Sequence, residues 1–330
     1  MKRLVKNAAK SLLVKLFHVG QRFGVDILPR HFYSEIPDIG RLKQSKSWKL
    51  PYSMMGVAGT DPDEQLAFVQ SVVTPRLSAR LAQGDVHRIA CSRNGEDGYG
   101  PIEADFLFAF MTTLRPRRVL QIGCGVSTAV CLMATQESGY NPEIICVEPY
   151  PTPFLTEAGA AKAITLIPQA VENLDPSVVD PLESGDLFFV DSSHTLGPAG
   201  EVTRIMVEML PRLNAGVRVH FHDIYFPYDY PRDLLSTASF FTHESALLHG
   251  FLALNTRFRL TASLSMLHYA RPAELGALLL NYRPGGNDHG LATTPGHFPS
   301  ATYLEVTHPI AHFPSLGPVE PSRQLELGDS

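Results

Sequence analysis

Arg118-Val-Leu-Gln-Ile-Gly-Cys-Gly-Val-Ser-Thr128, followed by Ile144-Ile-Cys-Val-Glu148, decides the fold. Val119, Leu120 and Ile122 form an apolar run that reads as a buried strand. Gly123-Cys124-Gly125 then turns the chain into a helix that opens with Ser127 and Thr128, both good N-terminal capping types. Glycine lets a backbone come close to a ligand, and the first turn of a helix offers unpaired N–H groups. Glu148, at the end of the next strand, is placed to accept both hydroxyls of a ribose. The pattern predicts a nucleoside-containing cofactor; a tight turn without any ligand is the plain alternative.

A dinucleotide site calls for G-x-G-x-x-G. Gly123 and Gly125 fit, but Thr128 stands at the third position, so helix and strand cannot approach as closely as a pyrophosphate requires. Working outward, apolar runs bounded by turn formers recur at 118–122, 143–147, 163–167, 186–190 and 217–221, with helical stretches such as 128–134 and 202–210 between them. This alternation predicts right-handed βαβ crossovers and a mostly parallel sheet covered on both faces, a doubly wound α/β fold. The rhythm then changes. Phe258–Met266 alternates as a strand and Thr302–Val306 is another, while Pro272, Pro284, Gly285, Gly286, Gly290 and Pro295 between them predict loop rather than crossover helix. Two such strands suit an antiparallel end to a seven-stranded sheet.

Ile122-Gly-Cys-Gly-Val-Ser-Thr128 resembles the first motif of class I S-adenosylmethionine-dependent methyltransferases, in the form found in a branch grouped with sugar and natural-product O-methyltransferases. Four further segments are similar to that branch in the same order: Phe32-Tyr-Ser-Glu-Ile-Pro-Asp38, Tyr99-Gly-Pro-Ile-Glu-Ala104, Phe189-Val-Asp-Ser-Ser-His-Thr195 and Val219-His-Phe-His-Asp-Ile224 with Tyr230-Pro231. The resemblance spans residues 32–231. It implies a Rossmann-like sheet, S-adenosylmethionine as cofactor and a small-molecule acceptor, a sugar or polyhydroxylated natural product. It departs at Gln121, where many such enzymes carry an acid. An NAD(P)-dependent oxidoreductase and a catalytically inactive scaffold of the same fold are the rival readings.

The residues expected at the cofactor follow. Gly123, Gly125 and Ser127 line the methionine end, Glu148 holds the ribose, and Gln169 or Glu172 faces the adenine. The resemblance adds Tyr99 and Glu103 over the methionine moiety, with Glu103 supplying the acid that Gln121 lacks. Methyl transfer requires an in-line nucleophile and removal of its proton, and open α/β sheets bind ligands at the carboxyl ends of their strands. Asp191 and His194 follow the fourth strand; His222 and Asp223 follow the fifth. Asp191 can face the cofactor, and either histidine can act as general base, an imidazole being suited to a hydroxyl proton. His220 and His222 share a strand face, the more interior His220 reading as core. The four residues would also make a divalent-metal site, as in a related group of Mg-dependent sugar O-methyltransferases. Magnesium prefers more carboxylate than this, so histidine catalysis without a metal is the expectation. Tyr33 and Tyr225 lie in loops over the same edge and are candidates to stack on the acceptor.

Composition narrows the class. The chain has 330 residues, 44% hydrophobic and 18% charged, with a net charge of −5, which points to a globular protein and gives no reason to expect nucleic acid. Cys91, Cys124, Cys131 and Cys146 lack metal-type spacing and read as buried thiols in a reducing, cytoplasmic compartment. Residues 1–98 are expected to be an N-terminal helical extension that caps the acceptor site, residues 99–310 the catalytic domain, and residues 311–330 a loose tail. Residues 1–22 hold Lys2, Arg3, Lys6, Lys10, Lys15 and Arg22 and no acid, with Val5, Ala9, Leu12, Leu16 and Val19 on one helical face. Such a helix can lie on an anionic membrane, but docking on its own protein or on a second subunit is the commoner use.

Overall fold

The protein's structure, a computed structural model, describes residues 2–309 apart from 29, 33, 46, 233, 236–239 and 285–297, with side chains from residue 12 onward. Tyr33, the glycines at 285, 286 and 290, Pro295 and the expected tail 311–330 lie outside the described residues. The chain divides into two compact units, Met1–Lys46 and Ser47–Ser330. The first carries α1 (Lys2–Arg22) and the short α2 (Ile39–Gln44), whose first turn is capped by Asp38 through the Arg41 N–H at 3.1 Å.

The second unit begins with helices whose starts follow the same rule of an acid or hydroxyl cap, a proline in the first turn, or both. These are α3 (Pro62–Val72, capped by Asp61), α4 (Pro75–Leu81, capped by Thr74) and α6 (Pro101–Leu114), while α5 (Val86–Asn94), between α4 and α6, starts without either device. The α6 sequence is apolar nearly all round, and Ile102 through Met111 are buried accordingly. There follow β1 (Arg118–Ile122), α7 (Val126–Ser138), β2 (Glu143–Val147), α8 (Pro153–Ala160), β3 (Thr165–Ile167), β4 (Leu187–Val190), α9 (Glu201–Arg204, continued by a π turn over Ile205–Met209) and β5 (Arg218–Phe221). The chain then adds α10 (Glu244–Leu252), β6 (Phe258–Ser263), α11 (Leu264–Ala270), α12 (Pro272–Leu278) and β7 (Thr302–Val306).

The strands form one seven-stranded sheet in the order β3-β2-β1-β4-β5-β7-β6. All neighbours from β3 to β5 run parallel, and β7 is antiparallel to both β5 and β6. Successive side chains of a strand face opposite sides, and each side has its own core. Val119, Leu187, Phe189 and Tyr303 meet Phe106 and Phe110 of α6 and Val130 of α7. Leu120, Ile122, Phe188, Val190 and Phe221 meet Ile205, Met209 and Leu248. Strands buried on both faces explain the unbroken apolar runs in the sequence.

Two expectations need correction. The alternation at Phe258–Met266 does not continue as strand to its end. Ser263 stops β6 and caps α11, its hydroxyl accepting the Met266 N–H at 3.4 Å. The segment after it is not all loop either, since α11 and α12 precede the undescribed stretch.

Candidate active site

The glycine turn after β1 is shaped by close backbone approach. Gly123 has φ +76°, and a Cβ there would lie 1.9 Å from the Asp191 carbonyl oxygen, so no other residue fits. Gly125, at φ +148°, faces the Asn94 side chain, which a Cβ would meet at 3.1 Å. Thr128 is fully buried. Its hydroxyl donates to Gln121 Oε1 at 2.8 Å and accepts the Gly125 N–H at 3.3 Å. Gln121 in turn donates to Ser127 Oγ at 3.4 Å. The amide that replaces the usual acid is thus spent below the turn, locking the start of α7 to β1.

Glu148 lies at the end of β2, where Oε2 accepts the Cys124 N–H at 3.2 Å and Oε1 the Tyr150 N–H at 2.9 Å. Each carboxylate oxygen keeps a second lone pair, so the group fits a ribose diol while bracing the glycine turn. Gln169 donates to the Asn173 carbonyl at 2.6 Å, and Glu172 is exposed in a short 3-10 turn; both stand just beyond β3.

The carboxyl ends of β4 and β5 carry a cluster of imidazoles and carboxylates. His222 Nδ1 lies 3.0 Å from Asp191 Oδ1. His194 Nδ1 lies 2.7 Å from Glu244 Oε2, and its Nε2 faces Asp191 Oδ1 and Asp223 Oδ2, each at 3.5 Å. The carboxylate that orients His194 is therefore Glu244, while Asp191 orients His222. Ser192 donates to both Glu244 oxygens at 3.1 and 3.2 Å. Burial favours neutral forms here, but the charges outweigh it. Asp191 is held well below the usual carboxylate range by His222 and His194. His194 is raised well above the imidazole range by Asp191 and Glu244, and His222 is raised to about 10 by Asp191 and Asp223. Burial pushes Glu244 up, against the pull of His194.

Three residues at this edge adopt left-handed backbone without being glycine: Tyr99 (φ +43°), His194 (φ +59°) and Asp223 (φ +53°). Asp223 thereby turns its carboxylate back into the cluster, where it accepts the Tyr225 hydroxyl at 3.1 Å and the Ser300 hydroxyl at 3.0 Å. The Tyr99 ring lies 4.9 Å from that of His222, and its hydroxyl is 3.3 Å from His220 Nε2. His220 is fully buried, stacked on Phe189, and desolvation drives its pKa well below the ordinary value, so it is the neutral core histidine the sequence suggests.

A cavity of about 620 Å³ opens beside this cluster. Its wall includes Tyr99, Glu103, His222, Asp223, Tyr225 and Thr242. Glu103 Oε1 accepts the Ser300 N–H at 2.7 Å. Thr242 is 4% exposed, and its hydroxyl has no hydrogen-bond partner among the described residues. A buried hydroxyl left this way on a cavity wall is available to a bound molecule.

The structure thus gathers Tyr99, Glu103, His222 and Asp223 around one cavity and backs them with Asp191 and His194, while Gly123, Gly125, Ser127 and Glu148 form the cradle at β1 and β2. Gln169 and Glu172 are outside the cavity lining. Glu244, Ser300, Thr242 and Asn94 are contributors that the sequence did not announce. An acid opening the run Glu244–Leu252 reads simply as a helix start. Asp191, His194 and His222 bring ligand atoms within 4.8 Å of one another. Two imidazoles and one carboxylate suit a borderline transition ion better than magnesium.

Residues 120–224 match a protein-family model described as a methyltransferase domain. An uncharacterized protein of Archaeoglobus fulgidus is 28% identical over 173 residues, covering 50% of this chain and 77% of that protein. Among solved structures, a Podospora anserina methyltransferase bound to S-adenosylhomocysteine is 17% identical, with 71% of this chain and 89% of that one covered at a TM-score of 0.33. A plantazolicin methyltransferase, solved with a triazolic desmethylPZN analogue and S-adenosylhomocysteine, is 12% identical, with 74% and 96% covered at a TM-score of 0.35. The glycine turn after β1 and strands β2 to β5 lie within the matched stretch. Among the described residues no helix is long and apolar enough to cross a membrane.

Proposed function

We propose that the enzyme methylates a hydroxyl of a sugar or other polyhydroxylated natural product, with His222 as general base. The observation that carries this reading is the Asp191–His222 pair at the cavity wall. Asp191 accepts from Nδ1 at 3.0 Å, which leaves Nε2 as the atom that can take a proton. His194, anchored by Glu244, lies between Asp191 and Asp223 and keeps both carboxylates in place. Tyr225 and Thr242 supply aromatic surface and a hydrogen-bonding hydroxyl for the acceptor. When bound, S-adenosylmethionine supplies an electrophilic methyl and a sulfonium charge, and a positive charge nearby disfavours imidazolium. Gly123, Gly125 and Ser127 would hold its methionine end and Glu148 its ribose, with Gln169 or Glu172 toward the adenine. Tyr99 and Glu103 would close over the methionine moiety.

The cysteines, all unpaired, suit a cytoplasmic setting. Titration calorimetry with S-adenosylhomocysteine and with NADH tests the cofactor half: preference for NADH overturns it. Incubation with S-adenosylmethionine carrying a labelled methyl and a panel of sugars, phenols and amines tests the acceptor half. Transfer to amines but never to hydroxyls would refute O-methylation.

A further inference from the structure

We propose that α1 is a peripheral anchor that lies on an anionic lipid bilayer. The inference does not depend on the acceptor or the base. Six of the chain's 28 lysines and arginines fall within residues 1–22 with no acid among them, and the other 22 are set against all 33 acids. The charge is therefore segregated, with a strongly basic helix on an otherwise acidic protein. Over its described part, α1 presents Leu12, Leu16 and Val19, spaced on one face and 58%, 40% and 51% exposed, with Phe23 just past its end at 80%. Lys15 and Arg22 flank that face, where long side chains can keep their charge in the headgroups while their stems lie along apolar surface.

Nothing buried in α2 supplies a core that would cover this face within its own unit. Val25, Ile27 and Leu28, which follow the helix, are themselves 54%, 41% and 59% exposed. A 21-residue helix is about 31 Å long. Its charges forbid it to span a membrane, and no helix among the described residues is apolar enough to do so. A basic helix with one apolar face and low overall hydrophobicity is instead the form that settles at the headgroup boundary. Charge complementarity selects the occupant: an apolar protein groove would take Leu12, Leu16 and Val19 but gives no reason for six cations and no acids, whereas an anionic bilayer satisfies both.

The test uses full-length protein co-sedimented with extruded vesicles of phosphatidylglycerol and phosphatidylcholine, and with vesicles of phosphatidylcholine alone. The expected result is binding to the anionic vesicles, loss of most binding at high salt, and little binding to the neutral ones. Lys6→Gln and Lys10→Gln should each weaken binding roughly fivefold, and Leu12→Asp with Leu16→Asp should abolish it while S-adenosylhomocysteine affinity stays unchanged, which verifies folding of the catalytic unit. Absence of binding by the unchanged protein overturns the proposal. So does equal binding to neutral vesicles, or binding that survives the double leucine replacement. A dimer dissociated by those leucine replacements, in a protein that ignores vesicles, would assign the face to a second copy of the chain instead.

Discussion

The titration of His222 is the sharpest consequence of the site's geometry, and it can be measured before any acceptor is known. Burial alone would push this imidazole down, yet Asp191 Oδ1 at 3.0 Å and Asp223 Oδ1 at 3.9 Å outweigh it and raise the group to about 10. At pH 7 the free enzyme should then hold roughly one molecule in a thousand with His222 neutral. Asp191→Asn keeps an oxygen for the Nδ1 proton but removes the nearest charge, and should lower the titration by roughly two pH units or more, about 3 kcal/mol. Ring-proton NMR over pH 5–11, assigned with His222→Gln, reads this directly. Because the folded value exceeds the unfolded one near 6.5, the pair stabilises the protein fully below about pH 6.5 and progressively less as pH rises through about 10. The thermal midpoint of the unchanged protein should fall across that window, and that of Asp191→Asn should be flatter. A His222 that titrates near 6.5 in the unchanged protein, or one indifferent to Asp191→Asn, refutes the reasoning.

Glu148→Ala should weaken S-adenosylhomocysteine binding at least tenfold by calorimetry, and should also lower the melting temperature, since the carboxylate accepts the Cys124 and Tyr150 N–H groups; unchanged affinity would show the ribose held elsewhere. If His222 works as a base without a metal ion, EDTA should leave methyl transfer intact and His222→Gln should cost about 10²–10⁴-fold with cofactor affinity kept. Loss of turnover in EDTA with recovery in Mg²⁺ would assign the cluster to a cation instead. Burial raises buried Asp105 from 3.8 to about 7, so its carboxylate costs the fold more as pH climbs through that interval. Asp105→Asn, which can still accept from Asn281, should therefore gain stability relative to the unchanged protein between pH 5 and pH 8.5, by roughly 3 kcal/mol at most; a pH-independent difference in denaturant midpoint would contradict this. Deleting residues 1–45 should leave S-adenosylhomocysteine affinity within a few-fold, because the compact unit that carries the cradle starts at Ser47; loss of cofactor would give the segment a structural role.

The parallel half of the sheet was legible because a strand buried on both faces has no polar alternation to confuse it. Arg118–Ile122 and Glu143–Val147 are strands over the very residues the apolar runs delimit. Periodicity failed where a cap overrode it: Leu264 continues the alternation of β6, but the Ser263 hydroxyl had already begun α11. Asp191 and His222 could be found because they directly follow apolar runs. Their pairing could not, since Asp191 has two histidines in reach and only the fold assigns His222 to it and Glu244 to His194. Thr242 and Ser300 carry no local signature; loops with ordinary sequence spacing bring them to the cavity.

The left-handed backbone at Tyr99, His194 and Asp223 bears on how this protein can be altered. Glycine would relax the backbone at each position, but it would also delete a side chain that is packed or ion-paired in the cluster, so the left-handed turns cannot be relieved by one substitution without cost. Selection for heat resistance alone should therefore keep the imidazole at 194, because glycine there would leave Glu244 buried without its ion partner and Asp191 and Asp223 facing each other unscreened. Change should enter these turns only together with change in the partners that hold them, Glu244 with His194 above all.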